Sequence, residues 1–389
     1  MSKAEQLMKK LPVSLSVKSP RTAEAGSRVG ARDTYWVQLD GLRAFAVMAV
    51  MVHHFLEGPG ELGHFPVRLF FVLSGFLITG ILLNCRRLAE GGVQSKGYSI
   101  RQFYARRFLR IFPLYYMVIV VAWSMGVSDV REALFWHLSY LSNFYFARIG
   151  WYPAATAHLW SLSVEEQFYL LWPAVVLFVP GRWLLRTFVL MIAVGNAFRL
   201  LALLVGMNWV YLTVSTPSSF DSLAMGALLA YLCQKDGGNP RWQSYLSTAG
   251  RWVACTGILM KTVFLVLGLS SLWTVWLYFS YTLWPLVCLW LIDRARAGFG
   301  GWVGGVLTAR PVVYLGKISY GAYVYHLFML SLVPALFQSL GLEFWELPAL
   351  LRFVVLTTAT IVVASLSWFG FEKPINGLKR HFPYKTQPS

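Results

Sequence analysis

The sequence predicts an all-α integral membrane protein with about ten transmembrane helices and with its N- and C-termini cytoplasmic. Three observations predict it. Of the residues, 57% are hydrophobic and only 13% are charged, against about 25% charged in an ordinary soluble domain. Mean hydropathy is +0.55. The apolar residues also fall in runs close to the ~20 that span a bilayer, with most basic residues between the runs.

Ten runs qualify: 40–56, 66–84, 110–126, 159–179, 186–206, 219–234, 252–269, 273–292, 318–340 and 349–370. Orientation follows from charge. With the N-terminus inside, the inner loops 1–39, 85–110, 180–186, 235–251, 293–317 and 371–389 hold 27 of the 34 lysines and arginines. The outer loops 57–65, 127–158, 207–218, 270–272 and 341–348 hold only Arg131 and Arg148. That asymmetry is the positive-inside pattern for an even number of spans. Arg43, Arg68, Arg199, Lys261 and Arg352 remain within or at the mouths of spans. Arg352 can snorkel to the interface, whereas Lys261 needs a partner or a water path.

Outside the spans, 1–38 reads as a disordered basic cytoplasmic tail, since no apolar signal-peptide core precedes Leu39. Residues 375–389 read as a cytoplasmic C-terminal tail. The long loop 127–158 is aromatic-rich with helical spacing, and it predicts an interfacial helix that could also roof a cavity. The net charge of +17 does not imply a nucleic-acid partner, because the charge sits in inter-span loops and not on a soluble basic face. Cys85, Cys233, Cys255 and Cys288 stand singly, with no CxxC or Cys/His cluster. Neither a disulfide framework nor a metal site is expected.

Four places combine polar groups with membrane depth, where ionisable residues are costly and mark function by default. The first is Arg43 and His54 on one face of the first span, eleven residues and ~16 Å of helical rise apart. His53 lies ~100° away on the same helix. Histidine suits proton transfer near neutral pH. A buried histidine bonded to a carbonyl, with a snorkelling arginine, reads equally well from these two residues alone. The second is Arg107 and Arg110, which share a face at i, i+3. They suit phosphate groups, or serve as ordinary anchors.

The third is HLWSLSVEEQFYLLWP, residues 158–173. Glu165 and Glu166 point ~100° apart, so at most one is expected to face the interior beside Trp160 or Ser161. A carboxylate there could orient His54, or both acids could serve a helix N-terminus. The fourth comprises Asp221, read as a substrate contact or a cap, and His326. With Tyr320, Tyr323 and Tyr325, His326 could form a polar lining, or it could be a satisfied core histidine.

At these residues the chain resembles the membrane-bound acyltransferase family 3, which includes bacterial O-antigen and exopolysaccharide O-acetylases and macrolide acylases. The Arg-x10-His signature falls on Arg43 and His54 in LDGLRAFAVMAVMVHHF. LFFVLSGFLITGIL, YARRFLRIFPLYY, LWSLSVEEQFYLLWP, FDSLAMGALLA, GKISYGAYVYHLF and FEKP match further blocks in order, and the resemblance implies that 39–374 is the acyltransferase-3 transmembrane domain. One departure is Arg68, where many members carry Asp. The hydrolase-like domain appended to some O-antigen acetylases is not expected after the last span.

The resemblance implies a membrane-embedded O-acyltransferase of the bacterial cytoplasmic (inner) membrane. It would move an acyl group, typically acetyl from acetyl-CoA, to a hydroxyl of a carbohydrate or glycolipid acceptor. His54, Glu165 and Arg43 are the catalytic residues it implies. Arg107 and Arg110 would bind CoA phosphates, and Asp221, His326, Trp160 and Ser161 are substrate or channel candidates. A multi-spanning secondary transporter of a small anionic solute is the alternative, although no internal symmetry of broken helices is visible.

Overall fold

The structure, a computed structural model, describes residues 35–56, 60–235 and 273–385, with scattered positions between 245 and 263. Among the described residues the chain is helical and contains no strand. The first three long helices are α1 (Val37–Phe55), α2 (Gly60–Glu90) and α3 (Lys96–Ser124). Short helices α4 (Ser128–Glu132), α5 (Leu134–Leu138) and α6 (Ser142–Ile149) lead to α7 (Leu159–Phe178) and α8 (Gly181–Leu204). Then follow α9 (Trp209–Val214), α10 (Phe220–Lys235), α11 (Trp273–Ala297), α12 (Gly301–Thr308) and α13 (Arg310–Lys317). The chain closes with α14 (Ser319–Ser339), α15 (Ala349–Ser367), a π turn at 368–372 and α16 (Lys373–Gly377).

Among the described residues five helices are long and apolar enough to cross a membrane: α2, α3, α8, α14 and α15 with its continuation to His381. This is a multi-pass membrane protein. Helices also occupy the expected runs 40–56, 159–179, 219–234 and 273–292. The run 252–269, with Lys261, lies outside the continuously described residues, as does 1–34.

Helix ends depart from the hydropathy runs for physical reasons. α3 starts well before the apolar run at 110, because Ser95 caps it by accepting from the Tyr98 N–H at 3.0 Å. Its first turns are basic and amphipathic, and hydropathy does not register them. The segment 127–158 is three short helices and not one. Tyr140 at φ 53° lies between α5 and α6, and Gly150 at φ 77° ends α6. The segment is tied to its neighbours through Tyr115 OH, which donates to His137 O at 2.9 Å, and Gln167, which donates to Tyr140 O at 2.9 Å. Phe135, Phe144 and Trp151 stay exposed, as interfacial aromatics do.

Residues 375–385, expected as a tail, fold back along the start of α3. Arg106 donates to Lys379 O and Phe382 O at 3.2 Å, and Tyr98 OH donates to Pro383 O at 2.8 Å. Among the described residues no disulfide joins Cys85, Cys233, Cys255 or Cys288.

α2 is the hub, since it packs against α1, α3, α7, α10 and α11. In lipid there is little hydrophobic drive between helices, so close backbone approach at small residues decides which helices pair. α2 and α10 cross that way. A Cβ on Gly226 would lie 2.0 Å from Val72 O, and one on Gly75 would lie 2.0 Å from Leu223 O. α1 meets α13 similarly, where a Cβ on Gly316 would lie 2.0 Å from Asp40 O. Gly226→Val should therefore part α2 from α10 at a cost of about 3 kcal/mol. Thermal unfolding in detergent should register the loss; an unchanged melting point would mean that the crossing tolerates a side chain.

Candidate active site

Helices α1, α2, α3, α7 and α14 line a partly open cavity of about 120 Å³. Its polar wall is Arg43 from α1, Ser74 from α2, Arg107 and Arg110 from α3, Ser161, Glu165 and Glu166 from α7, and Tyr320 and Tyr323 from α14. Five of the residues singled out by sequence thus converge: Arg43, Arg107, Arg110, Ser161 and Glu165.

Each charged group is held from one side. Arg43 Nη1 lies 3.0 Å from Asp40 Oδ1 one turn earlier, and Asp40 also accepts from Tyr35 OH. Arg107 stacks on Tyr169, 4.8 Å from the ring centre, and Arg110 stacks on Trp368 at 5.5 Å. Tyr169 OH donates to Ser74 Oγ at 2.9 Å, and Ser74 OH in turn donates to Glu165. The guanidinium forks are therefore pre-positioned by aromatic faces, a geometry that suits phosphate recognition.

Both Glu165 and Glu166 line the cavity, against the expectation that only one would. Ser161, Leu162, Glu165, Glu166 and Tyr169 form one α7 face wide enough to include residues ~100° apart. Trp160 is not on that face. It is buried against Phe71, ring centres 5.9 Å apart, and belongs to the packing between α2 and α7.

Glu165 does not accompany His54. The carboxylate is engaged with Ser74 beside the arginines, about two turns along α7 from His158. The neighbours of His54 are other histidines: ring centres lie 4.8 Å from His53 and 5.1 Å from His326. His326 in turn lies 5.0 Å from His158. Sequence reasoning passed over His158, which opens the SVEEQFY block one turn before Ser161. The two polar regions meet at Ser161 and Tyr323. Their hydroxyls are 2.6 Å apart and both lie within reach of His158 O, Ser161 at 3.0 Å and Tyr323 at 3.3 Å, so that one donates to the carbonyl and the other to its neighbouring hydroxyl. Tyr320 and Tyr323 line the cavity as expected, while Tyr325 does not. Among the described residues no three His, Cys, Asp or Glu side chains are placed to hold a metal ion.

Asp221 lies elsewhere, at the start of α10. It accepts from Ser222 N–H at 2.6 Å and pairs with Arg199 Nη2 at 2.6 Å, wholly buried. Arg199 and Arg68 both donate to Ser218 O, at 2.5 and 3.2 Å, and Arg68 stacks 4.4 Å above the Tyr281 ring. Asp221 is thus a counter-charge for buried arginines and does not line the cavity.

The fold and cavity define a membrane helix bundle with an arginine-lined internal site. The family described as an acyltransferase domain (acyltransferase family 3) matches residues 36–369. The chain belongs to that family. It is 28% identical to the peptidoglycan O-acetyltransferase OatA of Listeria monocytogenes, over 91% of this chain and 60% of that protein. It is 29% identical to the putative peptidoglycan O-acetyltransferase YrhL of Bacillus subtilis, over 87% of this chain and 54% of that one. A putative O-acetyltransferase of Staphylococcus aureus is 25% identical over 87% of this chain and 57% of its own. The chain thus spans little more than half the length of these relatives. No solved structure matches it.

Asp221→Asn should cost about 3–5 kcal/mol, because it strands buried charge. Melting temperature and monodispersity in detergent would report that loss. Unaltered stability would return Asp221 to the list of substrate contacts.

Proposed function

We propose that the protein is a membrane O-acetyltransferase that moves acetyl from acetyl-CoA, or another acyl group from its CoA thioester, to a hydroxyl of a cell-envelope carbohydrate or glycolipid. The observation that carries this reading is the convergence of Arg43, Arg107, Arg110 and Glu165, from three helices, on one cavity. The names of the relatives point to peptidoglycan as the acceptor. In this reading ten spans cross the bacterial cytoplasmic (inner) membrane with both termini inside, as the loop charges imply.

The arginine end of the cavity then faces the cytoplasm, and Arg107 and Arg110 hold the CoA phosphates. Glu165 and Glu166 offset the positive charge, so that the site attracts phosphate without holding product too tightly. The pantetheine arm runs along α1, past Ser161 and Tyr323, over the ~16 Å of rise between Arg43 and His54. His54 takes the proton of the acceptor hydroxyl as the oxygen bonds to the acyl carbon. The carbon–sulfur bond breaks, and the proton passes from His54 to the departing thiolate. The acceptor enters from the outer side, beneath the segment 127–158. A transporter of anionic solutes is not favoured, because the family and the relatives' names describe acyl transfer.

Transfer from labelled acetyl-CoA to envelope glycan, followed in membranes, tests the reading. His54→Ala should lower turnover at least 100-fold while expression holds; substantial residual turnover would sink the base assignment. Arg107→Ala combined with Arg110→Ala should weaken CoA binding at least tenfold and leave acceptor binding little changed. Equal CoA affinity in calorimetry would mean that these arginines only anchor the helix.

A further inference from the structure

The histidine cluster beside His54 contains two buried nitrogens that the reaction as described leaves unused. His326 Nδ1 lies 2.6 Å from Tyr323 O, and His158 Nε2 lies 3.0 Å from Val324 O. A carbonyl only accepts, so both nitrogens carry hydrogen and donate. In the neutral rings this leaves His326 Nε2 and His158 Nδ1 as bare lone pairs. Both are buried, and among the described residues neither has a hydrogen-bond partner. A buried acceptor left unmet costs about 1–3 kcal/mol, so the arrangement is made for a donor that arrives from elsewhere.

The donor within reach is His54. Its ring centre is 5.1 Å from that of His326, tilted by 49°. Imidazoles at this spacing bring facing nitrogens into hydrogen-bond range once they point edge to edge. Phe55 and Phe328 wall the cluster, 6.3 Å from His326 and 5.7 Å from His158. Among the described residues, none of His54, His158 and His326 forms an ion pair with an acid. A base there has no carboxylate behind it, and a neutral lone pair takes that place.

We propose that His326 is the positioning residue for His54. Its Nε2 accepts the imidazole N–H of His54, selects one tautomer and turns the other ring nitrogen toward the acceptor hydroxyl. His326 gains and loses no proton in the transfer. It keeps its Nδ1–H on Tyr323 O throughout, and His158 packs against it with the ring planes at 67°. The inference rests on His54 as the base.

Two amide replacements separate positioning from packing. His326→Gln can place an acceptor oxygen near the site of Nε2. His326→Asn can keep the donor to Tyr323 O but offers no acceptor at that place. The Asn variant should lose about 100-fold in kcat, the Gln variant about tenfold or less, and KM for acetyl-CoA should stay unchanged in both. Equal kcat in the two variants, whether retained or lost, overturns the proposal. His54→Ala assayed in parallel keeps the two readings apart, because turnover surviving there overturns the base assignment itself. Should either His326 variant fail to fold, nitrogen-15 histidine spectra of the unmutated protein in detergent decide. A single His54 tautomer supports positioning by His326, and a mixture of both overturns it.

Discussion

A guanidinium inside an apolar bundle does not give up its proton, so every buried arginine has to find acceptors or an aromatic face within the protein. Much of this molecule is organised around that constraint. Arg199 meets Asp221, and Arg68 meets Ser218 O and Tyr281. Arg43 meets Asp40. The contacts of Arg199 and Arg68 bring together α2, α8, α10 and α11. Arg107 and Arg110 are the exception. They rest on aromatic faces and direct their remaining donors toward a cavity.

The polar interior falls into two chemically different halves. The half around Arg43, Arg107 and Arg110 is ionic, with carboxylates interspersed. The half around His54, His158 and His326 is neutral, walled by phenyl rings. Ser161 and Tyr323 stand between them, joined by a 2.6 Å hydrogen bond. An acyl donor with an anionic head and a neutral thioester end matches that division. In the proposed reaction the ionic half binds the donor's phosphates and the half around the histidines holds the base.

Much of this was legible in the sequence, for identifiable reasons. Arg43 and His54 stood out because ionisable groups are rare in apolar runs, and Arg107 and Arg110 because i, i+3 spacing puts them on one face. Glu165 and Ser161 share a face of α7 by the same periodicity. Trp160 was misplaced because a helical wheel gives the angle between side chains but not which face meets a cavity. Glu166 was undervalued because the breadth of that cavity is set by five helices and not by one. Asp221 looked like a site residue until its partner Arg199, 22 positions away, came into contact with it.

Local chemistry along the chain therefore determined the class of fold, the positions of most long helices and the family. Each of these depends on the length of apolar runs, on charge between them, or on motifs read in order. Tertiary structure alone decided that Glu165 lines the arginine cavity and bonds Ser74. It also decided that the His54 ring lies 5.1 Å from that of His326, 272 residues further along, and that the two halves meet at Ser161 and Tyr323. Those facts depend on close helix crossings such as Gly75 with Gly226, where register is set by backbone contact between distant segments. No periodicity within a single helix encodes that register.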